Sequence, residues 1–258
     1  MAARRNNWGV EHGRGIALAI ALLLMHATAN VQAQEGPNDT CLKLGANVDL
    51  GNAYPIYEKV INAIYARAGM CATSIPVNPM RQSLLIASGG LDGEWLRYEG
   101  YDKIFEPDLM PVPQPIFQME AVLVRRADSS FSGNPVDLEG RRVAHVNGLR
   151  WIETHLPLHG AIGVPVPGDV PAIGLLLRNR FDIYATHRLQ AEEMLASLGE
   201  GQNSIIVSHW DNAPFLHFLH KRHADKLDRL ATATLEAIAA GDMEEMYALP
   251  GIDRIELD

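Results

Sequence analysis

The stretch Pro79-Met80-Arg81-Gln82-Ser83-Leu84-Leu85-Ile86-Ala87-Ser88-Gly89-Gly90-Leu91-Asp92-Gly93-Glu94-Trp95-Leu96-Arg97 decides how the rest of the chain is read. Met80, Leu84, Leu85, Ile86 and Ala87 keep roughly helical spacing behind a proline at a first helical position, and Gly89-Gly90 stops the helix. Residues 91–97, directly after that stop, are too few and too polar for a helix. They pack Asp92, Glu94, Trp95 and Arg97 into six positions. Such a mix directly after a helix suits either a wetted turn with an edge strand or a place where a polar ligand is held.

Working outward toward the amino end, residues 72–77 read as a strand and residues 55–68 as a helix, with Ile56, Val60, Ile61, Ile64 and Tyr65 on one apolar face and Gly69 as its stop. Residues 42–46 form an earlier strand, and the loop 47–54 ends in Tyr54 at its carboxyl end, where ligands bind in open α/β sheets. Strand, helix, strand, helix argues for a parallel sheet covered on its faces. The only two cysteines, Cys41 and Cys71, then start neighbouring strands about 4.8 Å apart, a separation that suits a disulfide. Residues 34–40 are a polar lead-in. Residues 1–33 carry Arg4, Arg5 and Arg14, an apolar run from Gly15 to Met25 and a small-residue cleavage site at Val31-Gln32-Ala33, which reads as a secretory signal peptide. The apolar run falls short of the roughly 18 residues that span a bilayer.

The composition bounds the function. With 258 residues, 47% hydrophobic and 21% charged, the chain can bury one large core or two modest ones. Without residues 1–33 it holds 19 basic against 30 acidic residues, a net charge of -11 that argues against nucleic-acid and membrane-surface partners. GxSxG, HExxH, P-loop and GxGxxG patterns are absent from the sequence.

Toward the carboxyl end, prolines at 107, 111, 113 and 115 break any helix, and residues 118–124 read as an apolar strand. Residues 128–135 have linker composition, and residues 137–146 read as a turn feeding a strand. Asn147-Gly148-Leu149-Arg150-Trp151 then opens a helical stretch whose backbone N–H groups offer an anion site. A short strand at 164–166 and a helix from about residue 169 to 180 precede Arg180-Phe181-Asp182-Ile183-Tyr184-Ala185-Thr186, a strand with Thr186 and His187 at its carboxyl end. A helix over 189–198, a strand over 204–208, a crossing at 209–214, an extended stretch from 215 and a long helix over 224–240 complete the chain. His217, His220 and His223 are three apart in a partly extended segment with no carboxylate pattern beside them, so neither a metal nor a cofactor is expected.

The order of these phrases, Ser88-Gly89-Gly90-Leu91-Asp92-Gly93-Glu94 with Arg97, then Asp137-Leu138-Glu139-Gly140-Arg141-Arg142-Val143, then residues 178–186 and 215–223, resembles periplasmic solute-binding proteins of the type II class. Those are relatives of the polar amino-acid-binding components of ABC transporters. The resemblance implies an α/β, two-lobed periplasmic-binding-protein-like fold of type II, each lobe a doubly wound sheet, with two inter-lobe crossings. Lobe 1 is expected over 40–126 plus 209–258, and lobe 2 over 127–208. It also implies a periplasmic location, a small-molecule ligand that is polar or anionic, a membrane permease or sensor receptor as partner, and a monomer.

In the resembled amino-acid binders the loop matching Gly148-Leu149 receives the ligand carboxylate. Here Leu149 replaces the usual threonine, and Asn179 replaces a usual glycine. The ligand-binding set expected on these grounds is Tyr54, Asp92, Glu94, Trp95, Arg97, Asn147, Gly148, Arg150, Trp151 and Thr186. Arg97 would fork onto a ligand anion, Asp92 and Glu94 would hold a cation or orient Arg97, and Tyr54 with Trp95 would form an aromatic wall. No catalytic residue is expected. The alternatives are a ligand sensor module, or an enzyme resembling the periplasmic cyclohexadienyl dehydratases with Glu94 or His187 as acid or base.

Overall fold

Two strands set the architecture by their length. In the computed structural model, which describes residues 41–256, β5 (Phe117–Arg126) runs for 10 residues and β9 (Ile205–His220) for 16. At about 3.3 Å per residue the second reaches roughly 50 Å, further than one modest lobe is wide. The expected strand 204–208, crossing 209–214 and extended stretch from 215 are therefore one continuous element. Ile205 packs into one hydrophobic core, Trp210, Ala213 and Phe218 into a second and Leu219 into a third, so the strand stays extended while its surroundings change.

The two long strands pair along their length and share a mixed sheet ordered β2-β1-β3-β9-β5-β8-β6-β7, with β4 (Leu109–Pro111) added to β9 and β10 (Ile252–Asp253) to β5. On one side lie β1 (Leu42–Asn47), β2 (Ala72–Val77) and β3 (Gly93–Tyr98), with β1 parallel to both neighbours. On the other lie β6 (Arg142–Val146), β7 (Ile162–Val166) and β8 (Ile183–His187), again parallel among themselves. Only the long strands run antiparallel to these groups, so β5 and β9 make the two crossings between halves. Their register slips between Ala121↔Asp211 and Val122↔His209, leaving Trp210 as an extra residue. Such a bulge bends the strand and re-aims a side chain. Trp210 is turned into the core, edge-on to Trp151. The two outermost strands, β2 and β7, each contain a proline, Pro76 and Pro165. Proline removes a donor from an edge and so discourages further pairing.

The helices follow from apolar spacing. In α1 (Tyr54–Arg67), Tyr57, Val60, Ile61, Ile64 and Tyr65 are buried at helical spacing; Tyr57 carries the inner face where Ile56 was expected, and Ile56 is only partly buried. α2 (Pro79–Ala87) begins behind Asn78, whose Oδ1 accepts the Arg81 N–H at 2.9 Å, and ends before Gly89 in the left-handed region. α3 (Tyr101–Ile104), α4 (Arg150–His155), α5 (Asp169–Leu177), α6 (Arg188–Leu198), α7 (Leu227–Ala240) and α8 (Glu244–Tyr247) complete the set.

α1 and α7 cover one face of the first half in a core that holds Leu44, Trp95 and Phe117. α5 and α6 cover a second core in the other half around Val122, Val124 and Tyr184. A third core, from Leu91 and Tyr98 to Trp151, Ile152 and Ala185, runs along the sheet across both halves. Cys41 and Cys71 form the expected disulfide, with Cα atoms 4.5 Å apart, because β1 and β2 are parallel neighbours in register. The signal-peptide reading of residues 1–33 lies outside the described residues.

Candidate functional site

Successive side chains of a strand point to opposite faces, and β3 sorts its residues accordingly. Trp95 goes into the core under α1 and α7, with its ring 4.8 Å from that of Tyr54. Glu94 turns the other way and is fully buried. Directly across the register stands Gly45 of β1. A Cβ at position 45 would lie 2.8 Å from the Gln82 side chain, so the glycine is what lets Gln82 of α2 lie across β1 beside Glu94. Arg97, three residues along, brings its Nε to 2.7 Å from Glu94 Oε2, with its own side chain 15% exposed. The register irregularity of β3 between Glu94 and Arg97 is what puts the two on one side.

This cluster is ionisable, largely buried and incompletely partnered. The Glu94–Arg97 contact is an ion pair without directed hydrogen-bond geometry, and among the described residues neither Glu94 oxygen accepts a well-directed hydrogen bond. Gln82 Oε1 and Asp102 Oδ1 are likewise buried and, among the described residues, unpartnered. Buried acceptors of this kind are costly, at about 1–3 kcal/mol each, and seldom left unmatched. Burial holds the Glu94 carboxyl above the usual carboxylate range; the Arg97 charge and the Gln82 amide oppose this, and the buried carboxylate of Glu106 reinforces it. The Arg97 guanidinium caps the Tyr101 ring at 5.1 Å, Tyr101 meets Tyr98 edge-on at 5.7 Å and Phe105 at 5.4 Å, and Phe105 carries Arg150 of the other half at 4.9 Å. Thr154 stands beside Tyr98. Arg97 and Arg150 thus bracket one aromatic row that joins the halves.

Asp92 belongs elsewhere. Its backbone N–H donates to the Lys43 carbonyl and its Oδ2 accepts the Lys43 N–H at 2.8 Å, while Oδ1 takes Arg222 at 2.7 Å and His223 at 2.6 Å. Partial burial opposes ionisation, but these donors outweigh it and hold Asp92 below the usual range. It ties β1, β3 and the turn before α7 together and does not touch Arg97.

In the second half, the Gly148 N–H donates to Glu153 Oε1 at 2.7 Å, and Arg150 Nη1 donates to Glu153 Oε2 at 2.9 Å. The backbone donor expected to face an anion is therefore occupied by the chain's own carboxylate. Asn147 is exposed, its N–H spent on the Val166 carbonyl. Trp151 is buried and stacked on His155 at 3.9 Å. Thr186 is fully buried, donating to Asp169 Oδ1 at 3.4 Å, an oxygen that also accepts the Tyr184 hydroxyl. The next residue, His187, is buried edge-on to Phe215 with Nε2 unpartnered among the described residues, and burial pushes its pKa down to about 4.

The structure therefore brings Glu94, Arg97 and Arg150 into one neighbourhood, pairs Tyr54 with Trp95 on the other face of β3, and places Asp92 and Thr186 in separate networks. Sequence reasoning missed Gln82, Tyr98, Tyr101, Phe105, Glu106 and Glu153. Of these only the aromatic spacing 98, 101, 105 carried a readable signal, since it repeats once per helical turn.

No family model matches the chain, and no curated protein matches it. Solved structures do. A histidine kinase sensor domain with similarity to periplasmic binding proteins matches with a TM-score of 0.66 at 16% identity, covering 84% of this chain and 98% of that one. The periplasmic VFT2 domain of BvgS from Bordetella pertussis matches with a TM-score of 0.60 at 17% identity over 81% and 92% of the two chains. The L-cystine solute receptor of Neisseria gonorrhoeae, in an unliganded open conformation, matches with a TM-score of 0.57 at 17% identity over 85% and 96%. With two strand crossings between two sheet halves, and at this level of likeness, the chain has the two-lobed α/β fold of the type II periplasmic binding proteins.

Proposed function

We propose that this protein is a periplasmic solute-binding protein that closes its two lobes, 40–126 with 209–258 and 127–208, on a small polar ligand, amino-acid-like or an organic acid, for uptake through an ABC-type permease. Residues 1–33 act as the secretory signal, and the Cys41–Cys71 disulfide fits an oxidising compartment. The observation that carries the reading is the fully buried Glu94, which sits beside the Gln82 amide and pairs with Arg97 but, among the described residues, accepts no well-directed hydrogen bond on either oxygen. A zwitterion satisfies both: its ammonium donates to Glu94 and Gln82, and its carboxylate meets Arg97. Arg150, on the opposite half, closes over the aromatic row, and Asn147, Gly148 and Trp151 shape the same rim. The role is binding rather than catalysis.

The test is thermal unfolding against a panel of amino acids, organic acids and amines, with the natural chain and with Arg97→Ala. A ligand at 100 times its dissociation constant adds about 2.7 kcal/mol. A shift with one chemical class that disappears in the variant supports the reading; no shift with any member of the panel overturns it.

The direct contacts between the halves, Arg150 on Phe105 and Thr154 beside Tyr98, favour a second reading. In it those contacts, and not a ligand, hold the halves together, and the protein is a sensor module that docks on a membrane receptor. One of the matching solved structures is a histidine kinase sensor domain. Small-angle scattering separates the two: a radius that contracts on ligand addition fits the solute-binding role, and an unchanged radius fits the sensor.

A further inference from the structure

The chain as a whole is acidic, with 31 Asp and Glu against 22 Lys and Arg, yet one end of the second half runs the other way. β5 finishes at Arg125-Arg126, β6 begins at Arg142 straight after Arg141, and Arg178 and Arg180 stand between α5 and β8. Register brings these together: Arg125 faces Ile183 across β5 and β8, and Val143 faces Ile183 across β6 and β8. The parallel strands start where the antiparallel one ends, so six arginines collect at one edge of the sheet.

The nearby carboxylates do not balance them. Asp128 and Asp182 lie 2.9 Å and 3.8 Å from Arg126, whose Nη1 also donates to the Leu176 and Phe181 carbonyls. Among the described residues, Arg141, Arg142, Arg178 and Arg180 pair with no carboxylate. Two of these guanidinium planes are held in place: Arg141 donates to the Asp137 carbonyl at 2.8 Å and lies over Phe131 at 5.3 Å, and Arg142 lies over Phe181 at 5.8 Å. Gly140, Arg141, Arg142, Arg180, Phe181 and Asp182 line a concavity of about 390 Å³. Three arginines therefore face one carboxylate that is already shared with Arg126.

We infer that this concavity binds a phosphate group, taken either from a soluble phosphorylated anion or from an anionic lipid headgroup, with Arg141, Arg142 and Arg180 as its donors. A tetrahedral phosphate group offers its oxygens to guanidinium forks from more directions than a planar carboxylate does. The site lies away from Glu94 and Arg97 and does not depend on the solute-binding reading.

The test is calorimetric titration of the intact protein with inorganic pyrophosphate at low ionic strength, beside flotation with phosphatidylcholine vesicles made with and without phosphatidylglycerol. The double variant Arg142→Gln with Arg180→Gln removes two exposed side chains, so its unfolding temperature stays near that of the natural chain; its affinity falls about tenfold or more. Pyrophosphate binding lost in the double variant assigns the site to soluble phosphates, and flotation alone, lost in the same variant, assigns it to lipid headgroups. Absence of both, an equal response to chloride at matched ionic strength, or binding unchanged in the double variant overturns the inference.

Discussion

β3 in the first half and the turn after β6 in the second each carry a carboxylate–arginine pair, and they handle charge in opposite ways. In the first half Glu94 and Arg97 are buried together, with acceptors left over at Glu94, Gln82 and Asp102. In the second half Gly148, Arg150 and Glu153 complete one another at the surface, where Arg150 is 50% exposed. A buried pair is sensitive to the loss of either member, whereas an exposed one is cushioned by water and salt. The first half thus keeps unmet polar capacity where binding energy could be gained, and the second supplies a surface that is already satisfied.

The largest effect that bears on this contrast comes from the two arginines. Arg97→Ala strands a buried carboxylate and is expected to lower stability by about 3–5 kcal/mol in urea unfolding. Arg150→Ala should cost under about 1 kcal/mol. Equal costs would break the comparison. Close behind, replacing Cys41 and Cys71 by serine opens a link across 30 residues and should remove about 3–4 kcal/mol, read as a lower urea midpoint with intact secondary structure. That loss should fall on the first half, so protease cleavage in the double serine variant should begin between residues 41 and 92 and not beyond residue 127.

Acid provides a third test. His187 and His217 are each pushed down to about 4, chiefly by burial, although the Trp95 and Glu94 carbonyls favour the charged form of His217. An unfolded histidine titrates near 6.5, so between these two values the unfolded chain binds more protons. Stability is therefore complete above pH 6.5 and declines as the pH falls toward 4, by up to about 3 kcal/mol per histidine. His187→Phe keeps the edge-on contact with Phe215 and should flatten part of that slope in unfolding temperature against pH; an unchanged slope would mean that His187 is not buried in solution. The smallest effect is Glu153→Ala. It should cost about 1 kcal/mol by freeing the Gly148 N–H, and it should make sulfate raise the unfolding temperature more than in the natural chain. Without that gain, the second turn is not a masked anion site.

Much of this contrast was legible locally. The helical spacing of residues 55–68, the proline and glycine that bound α2, the parallel β1 and β2 and hence the disulfide all come from neighbours in sequence, where 3.6- and 2-residue periods and backbone preferences act without help. So did the choice of Glu94, Arg97 and Arg150 as notable charges. What sequence could not decide was partnership. Asp92 and Glu94 are two residues apart, and nothing local says that the first will be claimed by Arg222 and His223 from 130 positions away while the second is left with Arg97. Nor could it say that β9 would continue through the expected crossing, since an extended stretch is equally at home ending or continuing until a second sheet half is there to pair with it. The sequence determined which residues are chemically able to hold a polar ligand. Only tertiary packing, by fixing the face each strand presents and the water each charge loses, decided which of them are buried together and which are already satisfied.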